Sequence, residues 1–238
     1  MTETIVPGSY LIASPTLLDP NFRRTVVMIC EHGPHGSVGL VVNRPTQYTL
    51  PTVVPNLDLP GVPTVDSESE FDGEIVEGTI FSGGPVESNR LMIVRRGAAD
   101  LDVATDEGAS LLELDLPSSS GGGWGGDPAD SASDSDESPD LQQVWEGIYL
   151  VADISATLER FESKREVDLT PYRFYLGYAG WGSEQLEAEL KEGAWIVHPP
   201  TERFVFDDRP TDSWKAAIRD RGGIYRMLAE MPHDPTQN

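Results

Sequence analysis

The stretch "RTVVMICEHGPHGSVGLVVN", Arg24 to Asn43, decides the fold. Two β-branched, apolar runs flank "HGPHG", whose glycines and proline supply the backbone freedom and the stop that a reversal needs. The spacing predicts a hairpin in which "TVVMICE" folds back onto "SVGLVVN". Neither run alternates cleanly with polar residues, so both strands are expected to be covered on both faces. Upstream, "SYLIAS" is a further strand.

Downstream, strands and helices interleave, but several strands follow one another with only turns between them. "NRPTQYTLPTVVPN" holds three prolines, so any helix near Tyr48 to Val54 must be short. The acidic run Asp66 to Glu77 reads as a solvated loop. "TIFSGGPV" and "RLMIVRRG" give a strand, a Gly-Gly-Pro turn and a strand. "EGIYLVAD" is a strand leading to a helix that Asp153 caps and whose Ile154, Leu158 and Phe161 share one face. "YRFYLGYAG" is another strand, "WIVHP" and "ERFVFDD" read as a strand pair, and "TDSWKAAIRDRGGIYRMLAEM" reads as a helix broken at Gly222 and Gly223. This arrangement predicts an α+β fold, a single compact domain over 1–238 with a mixed, largely antiparallel sheet flanked by helices.

Pro117 to Asp140 differs in kind. It is built from Ser, Gly, Pro and Asp, with six acidic residues, no basic one, and Trp124 as its single large apolar side chain. Such a composition cannot bury enough surface to offset its ordering entropy, and 117–140 is expected to be a flexible acidic insertion.

Composition narrows the function classes. The chain has 238 residues with 40 acidic against 17 basic, a net charge of −23, which repels nucleic-acid phosphates unless the few cations share a face. Direct DNA binding is therefore disfavoured. No apolar run approaches the roughly 18 residues that span a bilayer, and the first residues lack a secretory pattern, so a cytoplasmic protein without membrane contact is expected. Cys30 is the only cysteine, which excludes an intramolecular disulfide and a thiolate zinc cluster.

Candidate chemistry is sparse. In "GYAGWGSEQLEAELKEGAWIVHP", Gly177 to Pro199, Ser183 is placed as the N-cap of an acidic helix that Gly193 closes. Glu184 stands where an anion would bind the helix start, so Gly-Trp-Gly reads as a strand-to-helix corner, with Trp181 either wedged in the core or displayed to a partner. "FSGGPV" lacks the lysine and spacing of a P-loop, and Ser82 lacks a nucleophile elbow. His32 and His35 make at most half a zinc site. Cys30 and His32, two apart in a strand, could face one side, but a cysteine ending "VVMIC" is expected to be buried and inert. Asn43 and Arg44 stand at a strand end, where such side chains either form sites or pair with backbone. Lys215, Arg219, Arg221 and Arg226 cluster in the C-terminal helical region, without a recognition-helix pattern.

"LIASPTLLDPNFRRTVVMICEHGPHGSVGLVVNRPT", "FSGGPV" and "GYAGWGSEQLEAELKEGAWIV", in that order, closely resemble the bacterial YqgE/AlgH family. With "GIYLVAD" and the helix after it, the likeness covers most of the chain apart from 58–77 and roughly 98–145. The matching positions include Asp19, Pro20, Phe22, Glu31, His32, Asn43, Arg44, Pro45, Gly83, Gly84, Pro85, Trp181, Gln185, Glu187 and Trp195. The chain departs from the pattern at Ser183-Glu184, where the family helix usually opens with Gly-Pro-Gly-Gln.

The resemblance implies a compact cytosolic α+β domain, often described as a transcriptional regulator, of uncharacterised biochemical function and with no established catalytic residues to carry over. From the residues themselves, Asn43, Arg44, Gly83, Gly84, Trp181 and Gln185 are expected to converge on a shallow binding groove. No catalytic set, metal site or cofactor is expected. Three readings stay open: a non-enzymatic interaction or regulatory protein with an unknown protein or small-molecule partner, a small-ligand or anion binder at Arg44 and Gly83-Gly84, and a hydrolase using Cys30-His32 or Ser82. The oligomeric state is not indicated.

Overall fold

The computed structural model describes residues 4–54, 56–64, 75–97, 141–164 and 167–230. The expected insertion at 117–140 and most of the acidic run 66–77 lie outside them. In chain order the elements are β1 (Tyr10–Ala13), β2 (Val26–Gly33), β3 (Gly36–Val41), β4 (Pro45–Thr49), α1 (Leu50–Val53), β5 (Thr79–Ser82), β6 (Val86–Arg96) and β7 (Leu141–Trp145). There follow β8 (Ile148–Val151), α2 (Ile154–Ser163), β9 (Tyr172–Gly182), α3 (Gln185–Lys191), β10 (Trp195–His198), α4 (Pro210–Asp220) and α5 (Ile224–Ala229).

The hairpin expected at Arg24 to Asn43 forms as β2 and β3, with Gly33 paired to Gly36 across a two-residue loop of Pro34 and His35. One irregularity interrupts it. Ile29 pairs with Gly39 and Glu31 with Val38, so Cys30 is the inserted residue of a bulge. The bulge breaks the two-residue periodicity that would have put Cys30 and His32 on one face.

All strands join one curled sheet ordered β10-β1-β2-β3-β9-β6-β8-β7. Every ladder is antiparallel except β5 on β9, so the α+β, largely antiparallel architecture holds. β9 organises it. One edge pairs with β6; the other is shared, with β5 against Phe174–Leu176 and β3 against Ala179–Gly182. At the handover the chain passes through Gly83, whose N–H donates to the Leu176 carbonyl and whose carbonyl accepts from Val41 N–H, each at 2.8 Å.

That crossing explains its glycines. A Cβ on Gly83 would lie 2.2 Å from the Gly177 carbonyl oxygen, and one on Gly84 2.2 Å from the Tyr178 carbonyl carbon. Gly177 itself has φ +70, with the Gly84 carbonyl oxygen 2.5 Å from any Cβ. No side chain fits there.

Two apolar clusters hold the sheet. The larger packs β1, β2 and β3 with Trp181, Trp195, Phe204, Trp214 and Ile218. The smaller packs Leu158 and Phe161 of α2 and Leu50 of α1 against Ile80, Ile93 and Phe174. Asp153 caps α2 as expected, its Oδ1 accepting from Ala156 N–H at 2.8 Å. The break at Gly222 and Gly223, with φ +71 and +53, separates α4 from α5 as expected.

Two expectations are corrected. "WIVHP" and "ERFVFDD" do not pair: β10 pairs with β1, while 201–206 is a run of turns that buries Phe204 and Val205. Ser183 does not cap α3, because Glu184 occupies the N-cap at φ +60 and the Ser183 hydroxyl instead donates to the Pro34 carbonyl at 2.9 Å. Gly193 does close that helix: Ala194 N–H donates to Glu189 O and Gly193 N–H to Leu190 O, the paired bonds of a Schellman end.

Candidate functional site

The end of β3 and the loop before β2 are built around one another. Asn43 is buried, and its amide bridges two backbone groups: Oδ1 accepts from Val26 N–H at 2.8 Å while Nδ2 donates to the Arg24 carbonyl at 3.0 Å. The clasp holds Arg24 at φ +57, a conformation an unbranched L-residue adopts only at a cost of roughly 1–2 kcal/mol. Arg44 pins the same loop from the next position. Its Nη2 donates to the carbonyls of Pro20 and Arg23, each at 3.1 Å, leaving Nε and Nη1 without an acceptor among the described residues.

The result is a hollow of about 370 Å³ between this loop and the C-terminal helices, lined by Arg23, Arg24, Asn43 and Arg44 on one side and by Asp212, Trp214, Lys215 and Glu230 on the other. Four cationic side chains thus meet in a chain whose net charge is −23. Burial, and then the neighbouring Arg23 charge, push the Arg44 guanidinium below its ordinary pKa, with Asp19 opposing; Arg24 is lowered by burial and by Arg23. In both shifts burial is the larger cause and the neighbouring Arg23 charge the smaller. Arg24 also lies over the Trp214 indole, 5.0 Å from its centroid. Lys215 Nζ contacts Glu230 at 2.8 Å, and Arg219 contacts the same carboxylate, so the far wall is internally neutralised.

The other expected residues lie elsewhere. Gly83 and Gly84 form the backbone crossing, close in chain to Ser82, whose N–H donates to the Arg44 carbonyl at 2.9 Å. The Gly83 N–H is therefore already engaged and does not cradle an anion. Trp181 is buried, stacked on Phe22 at 6.0 Å between centroids, with Trp195 edge-on to both. The two indole N–H groups donate to one carboxylate oxygen of Glu189, from Trp181 at 3.0 Å and Trp195 at 2.7 Å. Gln185 completes this corner, accepting from Gly182 N–H and donating to the other Glu189 oxygen. The loop at 19–24 thus joins the two groups, with Phe22 on the tryptophans and Pro20 and Arg23 on Arg44. Neither Trp181 nor Gln185 lines the arginine hollow.

Cys30 is buried, and burial together with Glu31 pushes its thiol up to about 12, so it holds a proton at neutral pH. His32 Nδ1 lies 2.8 Å from Ser37 Oγ and its Nε2 3.9 Å from Glu187, away from any thiolate role. Among the described residues no group of three or more His, Cys, Asp or Glu could hold a metal ion, and no helix is long and apolar enough to cross a membrane. Arg23, Arg24 and Lys215 are the hollow's residues that sequence reasoning missed as partners of Arg44. The "RR" before the first long strand was the available signal.

Curled sheet, glycine crossing and a hollow lined by Arg23, Arg24, Arg44 and Lys215 define an α+β protein. The family model described as AlgH-like matches residues 10–226, and the chain belongs to the AlgH-like family. UPF0301 protein CT0663 of Chlorobaculum tepidum is 29% identical over 236 residues, spanning 99% of this chain and 97% of its own length. UPF0301 protein Tgr7_2910 of Thioalkalivibrio sulfidiphilus is 31% identical over 224 residues, covering 93% and 92%. The crystal structure of protein DIP2367 from Corynebacterium diphtheriae superposes with a TM-score of 0.63 at 18% identity, covering 97% and 95%. The solution structure of the AlgH protein from Pseudomonas aeruginosa gives 0.57 at 23% identity, covering 98% and 100%. These two likenesses speak to the fold alone. The family's function is uncharacterised.

Proposed function

We propose that this chain is a non-enzymatic binding protein whose arginine hollow recognises a small oxyanionic group, a phosphate or a carboxylate. One observation carries the reading: Arg44, fixed by two backbone carbonyls, offers its remaining N–H groups beside Arg23, Arg24 and Lys215 in a recess of about 370 Å³. A guanidinium held in this way has little rotamer freedom left to lose on binding an oxyanion. The recess is concave and of about 370 Å³, which admits a compact anion and not the continuous phosphate backbone of duplex DNA.

The test is calorimetric titration with inorganic phosphate and with citrate at low ionic strength. Saturable binding, weakened by added salt and weakened about tenfold in a combined Arg23→Ala, Lys215→Ala variant, is expected, since one unit of 1.4 kcal/mol is tenfold. Binding that is unchanged in that variant, or absent for both anions in the intact protein, would reject the reading.

A further inference from the structure

The two carboxylates on the far wall of the arginine hollow differ in what they already hold. Glu230 is engaged on both oxygens, with Lys215 Nζ 2.8 Å from one and Arg219 on the other. Asp212 is not. Its N–H donates to the Arg209 carbonyl at 3.0 Å, but its carboxylate makes no hydrogen bond or ion pair among the described residues.

The position of Asp212 is nonetheless fixed. It lies in the first turn of α4, and the next two residues are buried and tied down: Ser213 Oγ donates to Asp207 Oδ2 at 2.6 Å, and Trp214 Nε1 to the Ala13 carbonyl at 2.8 Å. A backbone so held leaves only two side-chain torsions to place the carboxylate. The opposite wall presents the complement. Arg44 is held through Nη2, and its Nε and Nη1 meet no acceptor among the described residues. Arg24, 5.0 Å from the centroid of the Trp214 indole, links the two walls. Arg44 and Asp212 thus border one recess of about 370 Å³, a volume suited to a small molecule.

On the basis of the oxyanion reading, we propose that the ligand of this hollow is bifunctional: a small molecule with an oxyanion at one end, held by Arg44, and a primary ammonium at the other, held by Asp212. An oxyanion alone would share the recess with an unanswered carboxylate. The ammonium replaces that repulsion with a charge-assisted hydrogen bond. Aminoalkyl phosphates and amino acids have this chemistry in common.

The experiment is calorimetric titration of the full chain, at low ionic strength and neutral pH, with two matched pairs: phosphoethanolamine against ethyl phosphate, and β-alanine against propionate. Within a pair the oxyanion and carbon chain are the same and only the ammonium differs. In at least one pair the ammonium-bearing member is expected to bind about three- to tenfold more tightly, between the worth of an exposed ion pair and that of a buried charge-assisted hydrogen bond. The pair that discriminates distinguishes phosphate from carboxylate as the oxyanion. Asp212→Asn keeps the side-chain shape and is expected to erase the preference, with the ammonium-free member bound as before or more tightly. Amide-resolved NMR gives an answer that needs no variant: the ammonium-bearing member is expected to shift the Asp212 amide further than its partner does. Equal affinities within both pairs, a preference that survives Asp212→Asn, or an Asp212 amide moved equally by both members would overturn this inference and leave the oxyanion reading standing. No saturable binding of any of the compounds would overturn both.

Discussion

Replacing Gly177 by alanine is expected to damage the fold more than any comparable change at a solvent-facing glycine turn. Two effects add. Gly177 has φ +70, where an alanine costs roughly 1–2 kcal/mol relative to its preferred backbone. The new Cβ would also stand 2.5 Å from the Gly84 carbonyl oxygen, 2.9 Å from that of Val86 and 3.0 Å from Ser88 Cα. All three are backbone atoms, those of Val86 and Ser88 in β6 and that of Gly84 in the crossing before it, so relief requires moving main chain rather than turning a side chain, at an overpacking cost of about 1–3 kcal/mol. The sum is about 2–5 kcal/mol, a Tm lower by about 4–20 °C at this chain length. Gly147 is the internal control: its φ is +77, but nothing lies within 4 Å of a Cβ, so Gly147→Ala should cost only the backbone part. Urea titrations of the two variants followed by tryptophan fluorescence measure the difference directly. If Gly177→Ala and Gly147→Ala lose the same stability within about 0.5 kcal/mol, the tight crossing of β5, β3 and β9 is not the constraint described here.

Other expectations are quicker to check. The Cys30 thiol, pushed up to about 12 by burial, should not react with an aromatic disulfide reagent at pH 8 in the native protein and should react once in urea. Glu184→Gly should leave stability unchanged or raise it by up to about 1 kcal/mol, because the N-cap backbone is left-handed, while Ser183→Ala should cost less than a lost cap. Thermal melts of both separate the two views of that helix start. Asp153→Ala should cost about 1 kcal/mol through the lost bond to Ala156 N–H; an unchanged melt would show that α2 needs no cap. Gel-shift assays with mixed duplex DNA at about 50 mM salt should show no binding, and a salt-sensitive shift would reopen a nucleic-acid role.

Much of this fold was legible because its turns are written in glycine and proline. The hairpin around Pro34, the crossing at Gly83 and the break at Gly222 all follow from residues with few conformational alternatives. Where the text misled, tertiary partners decided. "ERFVFDD" has the apolar content of a strand, yet Phe204 and Val205 are buried from a turn, and Tyr10, far away in sequence, donates to the Thr201 carbonyl there. β4 and β7 escaped notice because a proline opens the one and glutamines fill the other, and only their neighbours make them strands. Asn43 and Arg44 stood out by their place at a strand end. Their cationic company did not, since Lys215 arrives only when α4 packs against β1, with Trp214 donating to the Ala13 carbonyl. Trp181 was marked as either wedged or displayed, and the ring stack with Phe22 decides for the wedge.

The most direct test of the arginine hollow is to follow the guanidinium Nε–H resonances of the arginines while inorganic phosphate is added at low salt. Saturable shifts at Arg44 and its neighbours Arg23 and Arg24, with Arg90 and Arg203 on other surfaces still, are the predicted result. Uniform, unsaturated drift of all arginines, or no movement at Arg44, would contradict it.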